Sequence, residues 1–215
     1  MRRSVLIASV LLVCADVAAA QIIRPVRRDN PIAWTSLGIG FLQQQGVCDP
    51  GTSACWDFGS GLQWRATLEM PVGSAATLGV AGTMARLPMI YRGSVVGTRT
   101  CGACDADGNV SQLLANFRIG GGSGFHQVID LSAGYTFFHN FRATDGSPLG
   151  SEKAIKDFTF ALGYGFGYNF TSRAQLIIVQ DLGLLIHERQ SGNVENIVQQ
   201  RVTRIGGRFA LGSRN

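Results

Sequence analysis

From Phe158 to Phe170 the chain alternates without a break. Phe158, Phe160, Leu162, Tyr164, Phe166, Tyr168 and Phe170 take the even positions; Thr159, Ala161, Gly163, Gly165, Gly167 and Asn169 take the odd ones. A β-strand sends successive side chains to opposite faces, so this segment is a strand with one aromatic face and one face without bulk. A soluble sandwich would carry charge on its second face. A narrow transmembrane barrel needs bulk toward lipid and small or polar groups inward, where space is short. A soluble lipocalin-like barrel is the alternative; it would turn the bulk inward and need a far more charged exterior.

Composition supports the membrane reading. Charged residues make up 15% of the chain, against about a quarter in ordinary soluble proteins. Residues 1–20 have the layout of a secretory signal peptide: Arg2 and Arg3, an apolar run from Val5 to Val13, and Ala18-Ala19-Ala20 before Gln21. Cys14 offers a lipoprotein alternative, disfavoured because bulky Val13 precedes it. Without residues 1–20 there remain seventeen basic and thirteen acidic residues, a net charge of +4 spread too thinly for nucleic-acid recognition. No apolar run after residue 20 reaches the roughly 20 residues of a membrane helix. A closed barrel is the remaining way to pair every backbone group inside a bilayer.

Eight strands follow from the alternation: about 35–43, 56–69, 75–87, 112–119, 125–139, 158–170, 174–186 and 201–211. The second is read with Trp56, Phe58, Leu62, Trp64 and Leu68 outward and Asp57, Arg65 and Glu69 inward. Pro88 is expected to end the third, because proline cannot donate to a ladder. Tight turns at 70–74, 120–124 and 171–173 alternate with long connections at 41–55, 88–111, 140–154 and 187–200. Short periplasmic turns, long external loops and both termini in the periplasm are the expected layout. The expected organisation is a signal peptide (1–20), a basic periplasmic arm (21–33), a barrel (34–211) and a short tail (212–215).

The last strand carries Arg204, Gly206, Phe209 and Leu211 in the order polar residue, glycine, two alternating apolar residues. This resembles the β-signal of outer-membrane proteins. With the signal peptide and eight hairpin strands, the chain resembles the small eight-stranded outer-membrane β-barrel superfamily, which includes the barrel of outer membrane protein A and the adhesion-type small barrels. That implies recognition by the barrel-assembly machinery through Arg204, Gly206, Phe209 and Leu211, and contact with outer-membrane lipid and lipopolysaccharide. The chain continues through Gly212–Asn215 instead of ending on an aromatic residue. Phe209 and Leu211 are expected toward lipid and Arg208 inward. Removing Phe209–Asn215 is expected to destroy the closing strand.

Chemistry-bearing residues are sparse. Of His126, His139 and His187, none belongs to the His-x-Ser pair that lipid A deacylases carry on their final strand, so lumen or rim histidines are the preferred reading. His139 with Ser147 and Glu152 is the one arrangement worth inspecting. Gly120–Gly124 leads into a strand, not a helix, and so makes no phosphate loop. Asp105-x-Asp107-x-Asn109 has the start of a calcium loop, but Asn116 stands where its glutamate belongs. Cys48, Cys55, Cys101 and Cys104 are an even set in an exported chain. Local disulfides Cys48–Cys55 and Cys101–Cys104 are preferred; a zinc site and free thiols are the alternatives.

Alternation also places Asp57, Arg65, Glu69, Arg118, Asp130, Asp157, Asp181, Arg204 and Arg208 inward. In a narrow interior opposite charges should pair. Asp181 and Arg204 lie at equal distance from the ends of their strands and are expected to meet. Arg65, Glu69, Arg118 and Asp130 are expected to form a second cluster nearer the periplasm. The functional expectation is a monomeric, non-enzymatic barrel without a cofactor, structural or surface-interacting through its external loops. A narrow gated channel and a lipid-modifying enzyme are the alternatives.

Overall fold

The computed structural model describes residues 31–49, 54–94, 100–149, 155–187 and 196–212. The proposed signal peptide, most of the N-terminal arm and the end of the tail lie outside them. Among the described residues there is no helix. The strands are β1 (Ala33–Gln44), β2 (Val47–Asp49), β3 (Ala54–Phe58), β4 (Ser60–Pro71), β5 (Ala76–Ser94), β6 (Thr100–Ile119), β7 (Gly124–Ala143), β8 (Ile155–Thr171), β9 (Ala174–His187) and β10 (Asn196–Leu211).

Eight of them, β1 and β4 to β10, form a closed antiparallel barrel in the order β5-β4-β1-β10-β9-β8-β7-β6, with β6 pairing back onto β5. Ser60 can be followed through its partners Gln43, Arg201, Leu182, Leu162, Leu131, Phe117 and Leu78 around the wall. The path returns to β4 at Met70, a stagger of ten residues from 60 to 70. A stagger of that size tilts the strands by roughly 40°. The outer wall is apolar: Leu37, Leu62, Trp64, Phe125, Phe160, Tyr164, Ile178 and Phe209 all project outward. Phe209 and Leu211 do so at the end of β10, while Arg208 is buried inside.

Three expectations are corrected at the long-loop end. First, Trp56 and Phe58 face inward and Asp57 outward. The ladder breaks at Gly59, where β3 gives way to β4; the extra residue inverts the alternation. Second, Pro88 does not end its strand. It sits opposite that break, where β3 has stopped pairing with β5 and β4 has not yet begun, so no ladder bond to β4 is lost; its carbonyl accepts from the Gly59 N–H at 2.7 Å. Third, 88–111 is not a loop. β5 and β6 stay paired from Ala76↔Ile119 to Ser94↔Thr100. Past Arg86, β5 runs about 25–30 Å further along its own axis, flanked by β3 and β6. The last strand also begins earlier than expected, at Asn196. Phe209–Leu211 are the last three residues of this 16-residue strand.

A second inversion occurs on β7, where Asn140 has φ 58° and the β6–β7 register shifts between Asp107 and Asn109. It turns Phe141 inward over Gly108, where a Cβ would lie 2.6 Å from the ring.

Candidate functional site

The barrel interior is filled in three layers. Nearest the short turns is a network of charges. Arg208 Nη2 donates to Glu69 Oε2 at 2.7 Å, and Glu69 also accepts from Thr77 and Thr67 at 2.8 and 3.0 Å. Arg118 reaches both Glu69 Oε1, at 3.0 Å, and Asp130, at 2.6 and 2.9 Å. Asp130 also pairs with Arg204, which grips Asp181 at 2.6 and 3.2 Å. Arg208–Glu69–Arg118–Asp130–Arg204–Asp181 is thus one continuous chain of alternating charge, not two clusters. All six residues are at most 7% exposed. Such burial is tolerable only because every charge is paired, and Glu69, Arg118, Asp130 and Arg204 are each held by two opposite charges.

Arg65 is the exception. It has no carboxylate within ion-pair distance among the described residues. Its guanidinium instead donates to Asn116 Oδ1 at 2.6 Å and Ser132 Oγ at 3.2 Å. The layer therefore holds four arginines against three carboxylates. Gly163 makes room for it: a Cβ there would lie 2.2 Å from Asp181 Oδ1.

Above it lies a neutral layer of amides and hydroxyls. Gln112 donates to Thr136 at 3.0 Å and Gln200 at 2.9 Å, and accepts from Thr83 at 3.0 Å. Gln63, Thr159 and Gln44 extend the web. These groups bond one another across the lumen and leave few free to solvate a passing ion.

The third layer, toward the long loops, is apolar. Trp56, Phe58, Tyr91, Phe138 and Phe141 pack with ring centroids 5.5–6.4 Å apart. Leu42, Leu87, Val110, Leu185 and Val202 complete the cluster from the surrounding wall. Beneath these rings Asp157 accepts from His187 Nδ1 at 3.0 Å. The space between that pair and the rings is about 10 Å³, scarcely one water.

The remaining candidates are not assembled into a site. His126 bonds the Gly124 carbonyl at 3.0 Å and the Gln175 amide, near the short turns. His139 is bonded to Ser111 at 3.1 Å and Ser147 to Asp145 at 2.6 Å; Glu152 lies outside the described residues. Asp105, Asp107 and Asn109 lie on one outward face of a paired strand, not in a loop that curls round a cation, and Asp107 is bridged to Arg86 at 3.0 Å. Cys48 and Cys55 form a disulfide across β2 and β3. Cys104 is disulfide-bonded as well, while the Cys101 side chain lies outside what is described. Three of the four sulfurs are therefore not thiolates for zinc.

The chain resembles solved outer-membrane barrels. Neisserial surface protein A is 11% identical, with 83% of this chain and 97% of that one covered at a TM-score of 0.50. Outer membrane protein OprG from Pseudomonas aeruginosa is 12% identical, with 87% and 100% covered at 0.52. No family model and no curated protein matches the chain. At this identity the likeness establishes the fold, the closed eight-stranded barrel of small outer-membrane proteins.

Proposed function

We propose that this chain is a non-enzymatic barrel of the bacterial outer membrane that acts by surface interaction through its long-loop end, which faces the exterior. The filling of the lumen carries the reading. Charge network, amide layer and aromatic plug lie in series, so a solute would have to break all three. The Asp157–His187 pair, 3% and 5% exposed, is covered by rings and out of reach of a substrate. What remains for function is the outside of the molecule, where the β3–β5–β6 wall rises well past the rest of the barrel. A surface protein among the structural neighbours is consistent with this. The barrel is proposed to work as a monomer in contact with lipopolysaccharide.

The test is adherence of bacteria displaying the protein to epithelial cells and to immobilised matrix. Removing Met89–Ala106, the upper part of the β5–β6 hairpin, should abolish any adherence above that of cells lacking the protein, with the barrel still heat-modifiable. His187→Ala should leave adherence unchanged. Hydrolysis of outer-membrane lipid that disappears in His187→Ala would favour an enzyme instead.

A further inference from the structure

One stretch of the outer wall breaks the apolar pattern. Gln180, Thr203 and Arg201 all face outward, on β9 and β10, next to Gln43 of β1. Together with Phe41 and Leu182 they line a depression of about 320 Å³. Thr203 stands beside both Gln180 and Phe41 in the register, and the next outward-facing residues toward the short turns, Ile178 and Ile205, are apolar. Polar side chains are therefore set into the apolar band itself. Arg201 lies two residues, or about 5 Å, nearer the long-loop end.

Two outward cations elsewhere on the wall, on β5 and β8, are occupied. Arg86 is bridged to Asp107 at 3.0 Å, and the Lys156 ammonium lies 3.7 Å over the Tyr135 ring. Arg201 has no carboxylate partner among the described residues. Below it, Thr203 donates to Gln180 Oε1 at 2.5 Å. The Gln180 amide nitrogen has only a long contact, 3.4 Å, to the Asp181 carbonyl. The depression thus offers a cation at its upper edge and an under-used N–H donor one step deeper, between two apolar walls.

We infer that this depression holds an anionic glycolipid of the outer leaflet. Its phosphate sits on the Arg201 guanidinium, its acyl carbonyl accepts from Gln180, and its chains run deeper, past Phe41 along Ile178 and Ile205. A guanidinium suits phosphate because its forked donors match two oxygens at once. The depth ordering, charge above and carbonyl-directed donor below, is that of a lipid headgroup entering from the rim. The choice of a glycolipid rests on the outward orientation of the long-loop end proposed above.

The test uses the full folded chain in phosphatidylcholine nanodiscs doped with diphosphorylated lipid A or, at equal charge, with phosphatidylglycerol. Lipid retained on the protein is read by native mass spectrometry, and heat-modifiable migration verifies the fold. Wild type should retain lipid A over phosphatidylglycerol. Arg201→Gln should cut that retention by about fivefold, the worth of one arginine at an anionic surface. Gln180→Leu with Thr203→Val should erase the preference while leaving charge-driven binding. Equal retention of both lipids by wild type, undiminished retention in Arg201→Gln, or a second copy of the chain in place of lipid would each overturn the inference. The surface-interaction reading fails separately, if adherence survives loss of Met89–Ala106.

Discussion

Arg204 holds Asp181 in a two-point grip, Nε to Oδ2 at 2.6 Å and Nη2 to Oδ1 at 3.2 Å, although the two are not register partners. Asp181 stands opposite Val202 and Arg204 opposite Val179, so the pair closes a diagonal between β9 and β10. The far side of Arg204 is taken by Asp130. Loss of Arg204 therefore strands Asp181 and leaves Asp130 with Arg118 alone, whereas loss of Asp181 leaves its arginine one partner. Asp181→Ala should cost about 3 kcal/mol and Arg204→Ala about 5. Urea unfolding in lipid vesicles measures both; equal and small losses would mean that the charges merely line water.

Gly163 should behave as part of the same pair. Gly163→Ala places a methyl 2.2 Å from an Asp181 oxygen, so that carboxylate must move. Its cost should be strongly non-additive with that of Asp181→Ala, because the second change removes what the first displaces. A double-mutant cycle with no coupling would contradict the geometry.

Arg65 should be the most dispensable lumen arginine. It has hydrogen bonds but no carboxylate of its own, and Ser132 Oγ also donates to Asn116 at 2.9 Å without it. Arg65→Met should cost less than half of what Arg118→Met does, since Arg118 serves two carboxylates. The same unfolding experiment ranks them.

The last three residues of β10 should matter more for assembly than for stability. A chain ending at Arg208 keeps thirteen of the sixteen residues of β10, Asn196–Arg208. It should still fold into detergent as a heat-modifiable barrel, yet reach the outer membrane poorly, having lost Phe209 and Leu211. Failure to fold in detergent would show that those residues are needed for closure itself.

The lower barrel was legible in the sequence because period-two patterning survives wherever one face meets lipid and the other a narrow polar interior. Phe158–Phe170 shows it plainly. The Asp181–Arg204 contact could be read by counting inward from the ends of two tightly joined strands, where no bulge intervenes. The upper barrel was misread for a physical reason. There the inside is apolar and the outside wet, so Asp105, Asp107 and Asn109 alternate with Ala106, Gly108 and Val110 in the inverse sense and resemble a loop. Alternation cannot be carried through a bulge, which is why Gly59 reversed Trp56 and Phe58. The apolar plug went unseen for a further reason. Leu184-Leu185-Ile186 is apolar on both faces, and a continuous run does not announce which residue fills the lumen. The Asp157–His187 pair sits at the edge of that misread zone.

The most direct test of a sealed barrel is single-channel recording of the folded protein in planar bilayers. Wild type should add no discrete conductance steps above those of the bare membrane, because charge network, amide layer and aromatic plug close the lumen in series. Reproducible ohmic steps from wild type, scaling with the amount of folded protein, would contradict the account and make this a channel.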